Sequence, residues 1–215
     1  FYKNFQKLTV SPIEPVFVDF DKSIKTEEFK GTTIASIQNT TNEISTLYYI
    51  TEIGSDHSLK LQLAMDYLDY LGTVKYSPEE LKKEFYKIGI DYGFNIGSER
   101  SFIYIRGLQE NLSEGIQLFE HLLSEAKADK EAYNNFVDKE IKSRNDAKVQ
   151  KSTIQLALNN YAMYGADNRF RDVLSEAELR AINPDELVKL LGGFLDYPHR
   201  IFYYGNDLAN TKNAL

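Results

Sequence analysis

The stretch 90–96, IDYGFNI, alternates without a break: Ile90, Tyr92, Phe94 and Ile96 point one way, Asp91, Gly93 and Asn95 the other. A period of two over seven residues belongs to a strand with one buried face. Gly97-Ser98-Glu99-Arg100 supplies a turn and SFIYIRG (101–107) runs back, so the segment predicts an antiparallel hairpin. A lone hairpin is marginal in water, and its apolar face needs a cover.

Helical periodicity supplies that cover. Leu112, Ile116, Phe119, Leu123 and Ala126 share one face of a segment from about 110 to 127. Tyr133, Phe136, Val137 and Ile141 do so over 130–147, and a third helix spans about 151–164. Upstream, Leu61, Ala64, Met65, Leu68 and Leu71 mark a helix over about 56–71. Ser77-Pro78-Glu79-Glu80 places an N-cap, a first-turn proline and a capping-box glutamate in order, and Asn183-Pro184-Asp185-Glu186 repeats the pattern. VFVDF (16–20), GTTIASIQN (31–39), ISTLYYITE (44–52) and HRIFYYG (199–205) read as strands. The polar link 40–43 reads as a hairpin turn between the second and third of these. The fold class is α+β: an antiparallel or mixed sheet with helices on one face.

Composition narrows function by exclusion. The chain has 215 residues, 42% hydrophobic, and no cysteine, so disulfides and thiolate chemistry are out while an oxidising compartment is permitted. Either a bacterial envelope or a cytoplasmic location is compatible with that. A net charge of −7 without a dense basic run argues against a nucleic-acid surface. No apolar run is long enough for a membrane-spanning helix. The chain starts at Phe1 without a methionine, which reads as a piece of a longer protein. Residues 1–15, with Ser11-Pro12 and Glu14-Pro15, are expected to be a linker or the end of a preceding domain, 16–205 a single α+β domain, and 206–215 the start of a further linker.

Motifs for nucleophilic or phosphate chemistry are missing: there is no G-x-S-x-G, P-loop or G-x-G-x-x-G. His57, His121 and His199 form no H-x-x-x-H or H-x-x-H pair. His121 with Glu125 has the i, i+4 spacing of a surface metal pair, or simply of a solvated helix flank. The segment LQLAMDYLDYLGT (61–73) is a mostly apolar helix that nevertheless carries Asp66 and Asp69. Glu140 lies three residues after Val137 and four after Phe136, beside the inward stripe of its helix, where a carboxylate needs a partner.

The order of these elements is familiar. A helix ending in LGT, a capped helix ending in Gly, a strand hairpin, GLQENLSEGIQLF, and a helix carrying FVDKEIKSRND follow one another. Over roughly 16–205 this register resembles a domain of the pitrilysin/insulinase-like zinc metallopeptidases. In that family's catalytic domain the helix before LGT carries the inverted H-x-x-E-H zinc motif, whose histidines bind the metal and whose glutamate activates water. A further glutamate downstream completes the site. The resemblance places the motif slots on Leu63, Asp66 and Tyr67, and the downstream ligand on Glu140.

Both histidines are therefore replaced, and the resemblance implies a non-catalytic domain of the carboxy-terminal half, with no metal and no cofactor in this chain. Zinc is expected in the catalytic domain of the parent protein. The implied partners are other domains of the same parent chain and a peptide substrate in the chamber they enclose. An active domain of this family adds a bound peptide to an edge strand, and the matching segment is Tyr92-Gly93-Phe94-Asn95-Ile96, which departs from the family's active N-A-x-T type. The alternative implied reading is a scaffold or binding domain of a wholly inactive homologue. An unrelated enzyme using Asp66, Glu140 and a histidine would require those groups to converge on one substrate atom.

Overall fold

The computed structural model describes residues 14, 15, 17 and 19–215. In chain order the elements are α1 (Phe20–Ser23), β1 (Lys25–Phe29), β2 (Thr32–Gln38), β3 (Ile44–Thr51), α2 (Leu59–Tyr67), β4 (Gly72–Thr73), α3 (Pro78–Lys87), β5 (Ile90–Ile96) and β6 (Ser101–Leu108). They continue with α4 (Gln109–Glu125), β7 (Ala126–Lys127), α5 (Lys130–Ala147), α6 (Lys151–Tyr164), α7 (Glu176–Ala181), α8 (Pro184–Gly192), β8 (His199–Gly205) and α9 (Leu208–Thr211).

Six strands form one mixed sheet in the order β1-β2-β8-β3-β6-β5, and β4 pairs with β7 apart from it. The β5–β6 hairpin forms as its alternation requires, with Ile90 opposite Gly107 and Ile96 opposite Ser101. Three expectations from the sequence are corrected. VFVDF is not a strand over its described residues: Phe17 and Asp19 lie in no strand, and Phe20 opens α1, capped by Asp19. An unforeseen strand, β1, pairs with β2 through the tight turn Lys30-Gly31, both at positive φ. Its sequence KTEEF carries no apolar alternation because an edge strand buries almost nothing.

The third correction concerns the link 40–43, which joins no hairpin. β8 lies between β2 and β3, parallel to the first (Ile34 opposite Ile201) and antiparallel to the second (Leu47 opposite Tyr203). The polar link arches over the end of β8 instead. Asn39 N–H donates to the Gly205 carbonyl, and the Asn39 side chain donates to Asn42 Oδ1 and the Ile44 carbonyl. Asx chemistry of this kind stabilises any reversal and does not specify how wide it is.

One face of the sheet presents Ile34, Leu47, Tyr49, Ile90, Ile103, Ile105, Ile201 and Tyr203 to the core. Against it α4 contributes Leu112, Ile116, Phe119 and Leu123, all buried. Gly115 is what allows α4 to come close: a Cβ there would meet Ile90 Cγ2 at 2.7 Å. The opposite face is aromatic and half-buried, with Tyr48 between Phe102, Tyr104 and Phe202 at ring-centroid distances of 5.8, 6.1 and 6.0 Å.

Beyond β8 the segment 206–215, expected to start a linker, folds as α9 and a short 3-10 turn with Thr211 fully buried. A buried polar network ties it down. The Gln109 carbonyl oxygen accepts from Ser45 Oγ and the Tyr203 hydroxyl, at 2.5 Å each. Its amide donates to the Asp207 carbonyl and to Thr211 Oγ1. Every polar atom of Gln109 is thereby matched, as burial demands.

Candidate functional site

The helix α2 begins at the Ser58 cap, whose side chain accepts from Lys60 N–H, and runs only to Tyr67. A 3-10 turn, Leu68–Tyr70, continues it towards Gly72. Leu61, Leu63, Ala64, Met65 and Tyr67 are buried, so most of the helix surface faces protein. Asp66 and Asp69 hold the narrow exposed stripe. α2 packs along α8 and reaches β5, the edge strand of the sheet.

Each of the four slots has an ordinary structural occupation. Leu63 is buried hydrocarbon. The Tyr67 ring is fully buried against Tyr133 and Phe136, with centroids at 5.3 and 5.7 Å. Its hydroxyl donates to the Asp129 carbonyl at 2.7 Å and accepts from Asp129 N–H at 3.1 Å, which pins α2 to the cap of α5. Asp66 is open to solvent on one side, and Gln62 Nε2 donates to its Oδ1 at 2.9 Å. The protein around its other sides raises its pKa above the usual carboxylate value. The Gln62 hydrogen bond opposes that shift, and the charges of Glu140 and Asp69 reinforce it.

Glu140 comes from α5, and its charge is among those that raise the Asp66 pKa. Its Oε1 accepts from Arg144 Nε at 2.7 Å, one helical turn on, and Arg144 Nη1 donates to the Leu174 carbonyl at 2.6 Å. A guanidinium therefore provides the positive charge beside Glu140. Sequence reasoning passed over Arg144, although the i, i+4 spacing in EIKSR was visible. Nearby, Lys139 Nζ donates to the Tyr70 hydroxyl.

The histidines have other partners. His121 Nε2 lies 3.1 Å from Thr73 Oγ1, and its ring meets Tyr76 edge-on. His57 packs against Tyr197, and His199 packs against Tyr49 with Nδ1 at 2.9 Å from the Tyr197 carbonyl. Tyr49 donates its hydroxyl to Glu120 Oε1, a half-buried carboxyl whose pKa burial raises. No spacing in the sequence announced that Tyr49–Glu120–His199 group, because its members come from β3, α4 and β8.

Zinc needs several imidazole or carboxylate donors converging on one point. Leu63 has no donor atom, the Tyr67 hydroxyl is committed to backbone, and Glu140 is held by Arg144. Among the described residues no three His, Cys, Asp or Glu side chains converge in a way that could hold a metal ion. The slots do not fit zinc, and no metal-dependent step follows from them.

β5 is the edge next to this patch. No backbone hydrogen bond among the described residues reaches 90–96 other than those of its own strand pairing. The opposite edge, β1, carries Lys25, Glu27 and Glu28. β5 carries one charge, Asp91, and lacks that charged protection against pairing.

No protein-family profile matches the chain, and no curated protein matches it by sequence. Solved structures do match by fold. A peptidase M16 inactive domain from Pseudomonas fluorescens superposes with a TM-score of 0.70 at 14% identity, over 89% of this chain and 48% of that one. The periplasmic protease PqqL of Escherichia coli gives 0.66 at 14% identity, over 93% of this chain and 25% of that one. The ferredoxin protease FusC, crystallised with Arabidopsis ferredoxin, gives 0.68 at 14% identity, over 99% and 26%. The chain shares its fold with that M16 inactive domain and with parts of the two larger proteases, and it spans from a quarter to about half of the chains it matches.

Proposed function

We propose that this chain is a non-catalytic domain of a larger M16-like peptidase, where it walls part of the peptide chamber and supports the catalytic half. The observation that carries this reading is the chemistry of the slot patch. Hydrocarbon stands at Leu63, a structural tyrosine at position 67 and an arginine-paired carboxylate at position 140, the positions that the resemblance assigns to metal ligands. Such replacements keep the fold's packing while removing its donors. The neighbours' greater length is in keeping with further domains in the parent, and zinc then belongs to one of those.

In this reading β5, with Tyr92, Gly93, Phe94, Asn95 and Ile96, is the place where an extended peptide would lie along the wall. Main-chain hydrogen bonds would hold it without a catalytic group nearby.

Metal analysis after dialysis against micromolar zinc tests the proposal. The wild-type chain should retain close to none. The triple variant Leu63→His, Tyr67→His, Arg144→Ala restores imidazoles at the slots and frees Glu140, and it should move towards about one zinc per chain. One tightly held zinc in the wild type would overturn the reading.

A further inference from the structure

The helix α6 is the exception to the packing of this fold. It runs fourteen residues, Lys151–Tyr164, and none of them is buried. It is nonetheless rich in large apolar side chains: Leu158 is 63% exposed, Tyr161 60% and Met163 65%. A helix apolar on several sides is ordinarily an interior helix. Here part of its surface is left without cover among the described residues.

The exposed surface has a shape. Ile154, Ala157, Leu158 and Tyr161 stand at i, i+3, i+4 and i+7 along α6, and Phe170 faces them from the turn that follows. Together with Thr153 they line a groove of about 460 Å³. The charged residues lining it are Lys148 and Arg171, both cationic in a chain of net charge −7. Among the described residues they donate to neutral acceptors: Lys148 Nζ to Asn145 Oδ1 and Arg171 Nη1 to the Ala166 carbonyl. Asp167 and Asp172 line a separate polar cavity across Asn168.

We infer that this groove is a docking site for an amphipathic helix of a partner polypeptide, apolar at i, i+3/i+4 and i+7 and acidic along its flanks. The inference goes beyond the role proposed above, because the groove is distinct from both the slot patch and β5. Two arguments select the occupant. The groove is walled by side chains of a helix and a turn and offers no strand edge, so an extended peptide would bury unpaired N–H and C=O groups there. A helix arrives with its backbone already satisfied. The Lys148 and Arg171 rim then favours carboxylates beside the apolar stripe, and it disfavours a basic helix by like-charge contact.

The test uses the 215-residue chain and two synthetic helical peptides of about 18 residues. Both carry leucines at i, i+4 and i+7; one has glutamates on the flanks and its twin has lysines. Fluorescence anisotropy should show the acidic peptide binding at least about tenfold tighter than the basic twin at low salt, a margin that shrinks as salt screens the rim. Leu158→Asp should weaken the acidic peptide by about tenfold or more, and Arg171→Glu should erase or reverse the preference. Both positions are exposed, so unchanged circular dichroism and melting temperature will accompany these losses. Failure of both peptides to bind, or equal binding of the two, would overturn the inference. So would finding that Leu158→Asp chiefly abolishes adsorption to phosphatidylglycerol vesicles, or a self-association measured by sedimentation.

Discussion

Asp66 lies on the exposed stripe of an otherwise mostly buried helix. It sits one position before Tyr67 and within the field of Glu140, yet its partner is Gln62 and its neighbours are carboxylates. Its folded-state pKa is raised above the unfolded value, so ionisation opposes folding. That cost is absent where both states are protonated, sets in as pH rises through the carboxylate range, and is fully present above the raised folded value. Asp66→Asn keeps an acceptor for Gln62 and removes the charge. It should raise the melting temperature at pH 7, and the gain should vanish below the unfolded aspartate pKa of about 3.9. Thermal unfolding at both pH values checks this; an equal or lower melting temperature at pH 7 would contradict the assigned environment. Tyr67 makes the complementary point: its hydroxyl bridges both main-chain groups of Asp129, a role no local pattern could disclose.

At the scale of elements, local chemistry was most informative where it is self-contained. Ser77 accepts from Glu80 N–H while the Glu80 carboxylate accepts from Ser77 N–H, with Pro78 in the first turn, as SPEE announces. Ser77→Ala should cost about 1 kcal/mol, measured by denaturant unfolding, because it orphans a first-turn N–H. The hydrogen bonds also hold the Glu80 carboxyl below its usual pKa, so the capping box weakens as pH falls through the carboxylate range. α8 starts with a cap and a first-turn proline but no reciprocal box: Asn183 Oδ1 accepts from Asp185 N–H, and Glu186 pairs instead with Lys60. Strands were harder. β1 escaped notice because its exposed edge residues need no apolar pattern, and the link 40–43 was assigned to a hairpin because its Asx hydrogen bonds look alike in a tight turn and in an arch.

For the whole molecule, stability resides in the sheet and the helices on its inner face, not in α6. Leu112→Ala should cost about 2–5 kcal/mol, since that side chain is wholly enclosed between α4 and the sheet. Leu156→Ser on α6, at a position 54% exposed, should stay within about 0.5 kcal/mol of wild type. Paired chemical denaturation curves decide the matter. A large loss for Leu156→Ser would mean that α6 is held in the core, and would remove the free groove argued for above.

Hydrophobic period and cap chemistry in the sequence determined that this chain is α+β, that 90–108 is a hairpin, that α3 and α8 start at their caps, and that α4 and α5 exist with their inward faces. These are consequences of contacts within a few residues, where each side chain's direction follows from backbone geometry. Only the tertiary structure decided that β8 enters between β2 and β3, that Arg144 binds the Leu174 carbonyl, and that 206–215 closes over Gln109. Each of those outcomes joins residues far apart in the chain, and the partner is selected by the packing of the whole sheet rather than by any local preference.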